Sequence, residues 1–153
     1  MTVALLGVIA VIMIGAGPVM ILQGYRGRRA VAGELAAQRI TFPERKPGDP
    51  YAAFTGRPVT TGGAARRFAD MIGANVTAAL GGRTYAEVSA AALADTSDAR
   101  LAELRETAFM GQTLRGTLYG AYQAWQVTLL VIALGGLTTL LGLALALVAA
   151  RLA

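Results

Sequence analysis

Residues 125–148 read WQVTLLVIALGGLTTLLGLALALV, a stretch without a charged side chain. Residues 2–25, TVALLGVIAVIMIGAGPVMILQGY, have the same character near the other end of the chain. A helix rises about 1.5 Å per residue, so about twenty apolar residues cross a hydrocarbon core about 30 Å thick. Both stretches reach that length, and neither shows the polar face of a helix on a soluble core. The sequence therefore predicts two transmembrane helices.

A cleavable signal peptide is the alternative interpretation of the first stretch. Gly15-Ala16-Gly17 supplies small residues near a plausible cleavage point. The positively charged segment that precedes the apolar part of such signals is missing, because no side chain before Tyr25 is charged. This difference favours a retained membrane helix.

The composition excludes several kinds of site. The chain has 153 residues and a net charge of +5, with neither cysteine nor histidine. Disulfides and thiolate metal sites are therefore excluded, and the commonest metal ligand is missing. We expect no metal and no cofactor. In a membrane protein, basic surface indicates contact with anionic lipid headgroups, so we expect membrane lipids and no nucleic acid as partners.

The chain divides into six predicted segments. These are transmembrane helix 1 over residues 1–24, a juxtamembrane helix over 25–40, a Pro/Gly-rich irregular segment over 41–63, short helices over 64–97, an amphipathic helix over 98–124 and transmembrane helix 2 over 125–150. No proline follows Pro58, so the last two segments are predicted to form one continuous helix. The predicted class is an all-α membrane protein with two transmembrane helices flanking a small helical extramembrane domain.

Local signals place the boundaries of the short helices. Gly81-Gly82 ends a helical pattern, and Thr84 stands three residues before Glu87, which is the spacing of a capping box. We interpret Thr84 and Glu87 as a structural cap rather than a catalytic pair. Asp98 is the predicted N-cap of the last helix.

Basic and aromatic residues lie at the ends of the predicted spans that face the middle of the chain. Arg26, Arg28 and Arg29 lie just beyond the first span and are candidates for binding lipid headgroups, either as an interfacial anchor or as a specific anion site. Tyr119, Tyr122 and Trp125 fit an aromatic belt at the entry of the second span.

Small residues four apart let helix backbones approach closely in lipid. Gly116 with Gly120, and Gly142 with Ala146, have this spacing and are candidates for helix packing. The alternative is that glycine and alanine are simply abundant in this chain. Outside the spans, Phe54, Phe68 and Tyr85 are candidates for partner contact.

No catalytic residue is predicted. The sequence contains no phosphate-binding loop, nucleophile elbow or zinc signature. No charge is predicted inside either span, so no proton relay of the usual kind is expected there.

Three short motifs carry a resemblance to a known family. They are Leu35-Ala36-Ala37-Gln38-Arg39-Ile40-Thr41, Gly81-Gly82-Arg83-Thr84-Tyr85-Ala86-Glu87, and Ala108-Phe109-Met110 with Thr113-Leu114-Arg115-Gly116. With them the chain resembles small two-span actinobacterial membrane proteins, often labelled aromatic ring-opening dioxygenases. The resemblance implies a two-span membrane protein and supplies no activity for it. The oxygenase label conflicts with the chemistry, because a non-haem iron site needs histidines and the chain has none.

Two arguments about sidedness disagree. Arginines cluster at the inner ends of both spans, which by the positive-inside rule predicts a cytoplasmic middle segment. The resemblance implies the opposite, with both termini inside the cell, and long loops translocate largely regardless of charge. We favour a protein of the bacterial plasma membrane with an extracytoplasmic middle domain.

The expected function is that of a non-catalytic accessory or scaffolding subunit that associates with other membrane subunits or with itself. The alternative is a lipid-interacting or sensory module that uses the basic juxtamembrane cluster. An enzyme of unrecognised type ranks third.

Overall fold

The structure, a computed structural model, describes residues 2–152 and is built of helices. The elements are α1 (Thr2–Ala37), a 3₁₀ turn (Ala52–Phe54), α2 (Gly62–Ala79), α3 (Tyr85–Ala94) and α4 (Ala99–Leu152). The predicted all-α class is confirmed, because no element within residues 2–152 is a strand.

Two of these helices, α1 and α4, are long and apolar enough to cross a membrane. Pro18 lies inside α1 without ending it. α1 joins the predicted first span to the predicted juxtamembrane helix. α4 likewise joins the predicted amphipathic helix to the second span without a break.

The chain separates into two compact units, and α1 and α4 each contribute to both. The span unit comprises residues 2–33 and 124–152, and the middle unit comprises residues 34–123.

The core of the middle unit is small and is made by α2, α3 and α4. Val76, Leu80, Val88 and Ala108 form a buried cluster, with Ile72 and Leu104 packed against it. Gly111 of α4 lies so close to α2 that an added Cβ would collide with the Val76 side chain. Glycine at this position therefore permits the close approach of the two helices.

Side-chain caps begin the helices of the middle unit. The Thr61 hydroxyl accepts from the Ala64 amide at 3.2 Å, and Asp98 Oδ1 accepts from the Arg100 amide at 2.9 Å. After α2 the chain turns through Gly81 and Gly82, whose φ values of 62° and 83° favour glycine. The predicted end of the helix at Gly81-Gly82 and the predicted N-cap at Asp98 are both confirmed.

The Pro/Gly-rich segment is irregular but is held by backbone and aromatic contacts. The Phe42 amide donates to the Arg57 carbonyl at 3.0 Å, and the Val59 amide donates to the Ile40 carbonyl at 2.8 Å. The Phe42 ring lies 5.4 Å from the Phe54 ring and 5.1 Å from the Phe68 ring, measured between centroids. This packing anchors the segment to α2.

Candidate functional site

The start of α3 is fixed by the capping box between Thr84 and Glu87. The Glu87 amide donates to the Thr84 hydroxyl at 3.2 Å, and the Thr84 amide donates to Glu87 Oε2 at 2.6 Å. The hydrogen bond from the Thr84 backbone amide, followed by that from its hydroxyl, holds the pKa of the Glu87 carboxyl below its ordinary value. The carboxylate is therefore engaged in the cap.

The opposite end of α3 is shaped by a second carboxylate. Asp95 Oδ1 accepts from the Ser97 hydroxyl at 2.7 Å and from the Ser97 amide at 3.1 Å. These bonds, the side-chain one first, lower the pKa of the Asp95 carboxyl. Asp95 thus shapes the turn between α3 and α4.

α3 runs antiparallel to the first part of α4. Val88 packs with Ala108 in the core, while the rings of Tyr85 and Phe109 lie 6.3 Å apart between centroids. Val88 and Ala92 turn one face of α3 inward.

Beside this pair lies an open groove of about 530 Å³, which we call the α3–α4 groove. The small side chains of Ala92 and Ala102 leave space between the larger side chains that line the groove. Its lining consists of Tyr85, Ala92, Leu93, Thr96, Ala102, Arg105, Glu106 and Phe109.

Large apolar side chains of the groove remain uncovered. Leu93 is 66% exposed and Phe109 is 57% exposed. Isolated exposed apolar residues are ordinary, but two large ones that line the same groove are typical of a binding surface. The charges of Arg105 and Glu106 supply a polar edge.

In the span unit the two apolar helices pack antiparallel through small residues. A Cβ added at Gly142 would lie 2.9 Å from the Ile14 amide nitrogen, and one added at Gly24 would lie 3.0 Å from the Thr128 carbonyl oxygen. In lipid, the hydrophobic effect does not drive helices together, because acyl chains are as apolar as the helix side chains. Membrane helices associate instead through such close packing of their backbones.

The four predicted packing residues are not brought together. Gly142 lies in the interface between the spans, and Ala146 is half-buried. Gly116 and Gly120 belong to the middle unit and are exposed, with no heavy atom within 4 Å of an added Cβ.

Small residues at the contact between the two apolar helices recur every seven residues, not every four as predicted. The buried small residues are Ala10, Gly17 and Gly24 on α1, and Gly135, Gly142 and Ala149 on α4. A repeat of seven keeps one stripe of a helix facing its neighbour over several turns. That repeat was the signal from which Gly17, Gly24 and Gly135 could have been found.

The predicted aromatic belt is divided between the two units. The Tyr119 hydroxyl donates to Asp70 Oδ1, and Arg66 Nη1 donates to the Tyr122 hydroxyl at 3.3 Å. Both tyrosines thus contact α2 within the middle unit. Trp125 alone of the three belongs to the span unit.

The three predicted headgroup residues differ in their surroundings. Arg26 and Arg29 are exposed, whereas Arg28 is half-buried. The Arg28 guanidinium carbon lies 4.4 Å from the centroid of the Trp125 ring. The structure therefore distinguishes one arginine that the sequence treats as equivalent to its neighbours.

Of the other predicted contact residues, Tyr85 lines the groove, while Phe54 and Phe68 pack on Phe42. Thr128 and Thr139 bond back to the helix, to the carbonyls of Trp125 and Gly135. Within residues 2–152, no cluster of three acidic side chains that could hold a metal ion is found.

Comparison with protein-family models, characterised proteins and solved structures found no match to this chain.

Proposed function

We propose that this chain is a non-catalytic integral membrane protein that acts as an accessory or scaffolding subunit and binds its partner in the α3–α4 groove. The observation that carries the proposal is the exposure of Leu93 and Phe109 beside a groove of about 530 Å³. A small domain that leaves such side chains uncovered gains stability when a partner removes them from water, by about 25 cal/mol per Å² of apolar surface.

The partner we propose is an amphipathic helix of another membrane subunit. α3 and α4 lie antiparallel, so the groove between them has the form into which the ridge of a third helix packs. Apolar side chains at i, i+3, i+4 and i+7 on such a helix would contact Tyr85, Leu93 and Phe109. Arg105 and Glu106, which carry opposite charges at one edge, would set its register.

The membrane location of the proposal rests on α1 and α4, which are long and apolar enough to span a bilayer. We propose a bacterial plasma membrane with the middle unit extracytoplasmic, as the family resemblance implies; the opposing charge argument is weak because long loops cross largely regardless of their charge. Reporter fusions within residues 41–63 and after Ala153 test this orientation. An extracytoplasmic reporter that is active only at the second position would reverse it.

Affinity purification of the full chain in mild detergent, followed by mass spectrometry, tests the proposed function. We expect a membrane protein to co-purify with the wild type and to be lost with Leu93→Gln and Phe109→Gln. Because both side chains are exposed, neither change should unfold the protein.

Leu114→Gln is the matched control. Leu114 is 53% exposed on the same helix but does not line the groove, so this variant should retain the partner. A wild-type protein that runs as a lone monomer, or a partner that all three variants retain, contradicts the proposal.

A further inference from the structure

The contact between Arg28 and Trp125 lies where the charged part of the sequence meets the spans. Arg28 follows the apolar stretch of α1 by one helical turn, and Trp125 begins the apolar stretch of α4. Tryptophan and arginine both favour the headgroup level of a bilayer, where an apolar body meets a polar environment.

The close packing of the two helices places these side chains together. Gly27, next to Arg28, faces Thr128, and an added Cβ there would lie 3.1 Å from Thr128 Cγ2. Gly24, one turn earlier, removes a second Cβ from the same face. Since Thr128 is three residues from Trp125, this approach brings the Arg28 guanidinium over the indole.

No carboxylate within residues 2–152 compensates the Arg28 charge. The ion pairs in this range join Arg45 with Asp49 and Arg66 with Asp70. Arg28 Nε is enclosed without a hydrogen-bond partner. The guanidinium is thus held by an aromatic face, which orients it through a cation–π contact and leaves its charge unpaired.

We propose that Arg28, oriented by Trp125, binds the phosphate of an anionic phospholipid, with Arg26 and Arg29 adding positive charge around it. Guanidinium groups suit this ligand because their planar fork matches two phosphate oxygens. The lipid source is favoured over a soluble phosphate because the site is continuous with the apolar helices, along which acyl chains would lie. This site is separate from the α3–α4 groove and does not depend on the proposed partner.

The chain contains a single tryptophan, so the intrinsic indole fluorescence reports on this site. Phosphatidylglycerol is titrated into the full-length protein in a neutral detergent, with phosphatidylcholine titrated in parallel. We expect a saturable change with phosphatidylglycerol at a concentration at least fivefold lower than with phosphatidylcholine, since each nearby arginine contributes about a fivefold preference for anionic lipid. Equal responses to the two lipids overturn the proposal.

Three variants distinguish a site with an oriented guanidinium from non-specific attraction of anionic lipid to the positive charges. Arg28→Gln should remove the saturable change, and Arg28→Lys should weaken it at least fivefold although the charge is kept, because an ammonium lacks the planar fork. Arg29→Gln, which removes one charge from an exposed position, should weaken it by no more than about fivefold. If Arg28→Lys behaves as the wild type, or if Arg29→Gln matches Arg28→Gln, the oriented site is wrong.

Glycerol phosphate distinguishes the two sources of phosphate. It carries the headgroup chemistry without acyl chains, so we expect it to compete at least a hundredfold more weakly than phosphatidylglycerol. If glycerol phosphate competes as well as phosphatidylglycerol, the site binds a soluble phosphate and the proposed lipid site is wrong.

Discussion

Gly17 of α1 and Gly135 of α4 lie directly against each other, so that a Cβ added at Gly135 would come within 2.6 Å of the Gly17 carbonyl oxygen. No side chain separates the two backbones at this level. In lipid, helix association depends on such close packing rather than on the hydrophobic effect. The pairing of the spans is therefore sensitive to a single methyl group.

Gly135→Ala should destabilise the span pair, and Gly136→Ala should not. The methyl group at Gly135 meets backbone, so we expect a loss of about 1–3 kcal/mol from overpacking. At Gly136 no atom lies within 4 Å of an added Cβ, and alanine should be neutral or stabilising because of its helix propensity. Thermal unfolding in detergent measures both. Equal effects of these adjacent substitutions would contradict the packing.

Gly27→Cys with Thr128→Cys should form a disulfide on mild oxidation. The wild-type chain has no cysteine, so the introduced thiols are the only ones present. The added Cβ at Gly27 would be 3.1 Å from Thr128 Cγ2, a place that the sulfur introduced at position 128 can take, so the two thiols can meet. Tyr25→Cys with Thr128→Cys is the control, because Tyr25 is exposed. Mass spectrometry after proteolysis should find the bridge in the first pair alone.

Leu80→Ala should destabilise the middle unit far more than Leu93→Ala. Leu80 is 2% exposed in the core, whereas Leu93 is 66% exposed. Emptying the core position should cost about 2–5 kcal/mol, and the same change at the exposed position should stay within about 0.5 kcal/mol. Hydrogen exchange of α2 and α3 amides measures the difference. Similar losses at both positions would show that the core is wrongly placed.

The start of α3 should lose stability as the pH falls below the ordinary carboxyl range. The folded-state pKa of Glu87 is lowered from 4.5 by the Thr84 amide and hydroxyl. A lowered folded pKa means that the cap contributes fully above the unfolded value and is lost as the pH falls through the folded value. The protection of amides in α3, taken as the exchange rate relative to the intrinsic rate at each pH, should therefore fall in acid for the wild type.

Glu87→Gln should remove most of that pH dependence, and Thr84→Ala should lower stability near neutral pH by about 1 kcal/mol. Glu103→Gln is the control, because Glu103 is exposed and, within residues 2–152, its carboxylate accepts no hydrogen bond. A wild-type pH profile in Glu87→Gln would contradict the role of the cap.

The elements of the fold were largely predictable from local chemistry. Length and apolarity predicted two long apolar helices, the Thr84 and Glu87 spacing predicted the cap, and Gly81-Gly82 predicted the end of α2. These signals act within a few residues, so they do not depend on the rest of the chain. The continuity of α4 followed from the absence of proline after Pro58.

The pairing of elements was harder to predict. A spacing of four selected Gly116 and Gly120, which are exposed. The glycines that meet between the helices, Gly17 and Gly135, belong to rows of small residues spaced by seven along each helix. Which face of an apolar helix packs depends on its neighbour, and glycine occurs on several faces of both helices. For the same reason the sequence did not single out Arg28, whose environment depends on Trp125, far away in the chain.

Both apolar helices must be embedded in a bilayer if the chain is a membrane subunit that binds lipid through Arg28. Extraction of membranes from cells that express the full-length chain, with alkaline carbonate and no detergent, tests this most directly. We predict that the protein stays in the sedimented membranes and is released only by detergent. Full-length protein in the carbonate supernatant would contradict it.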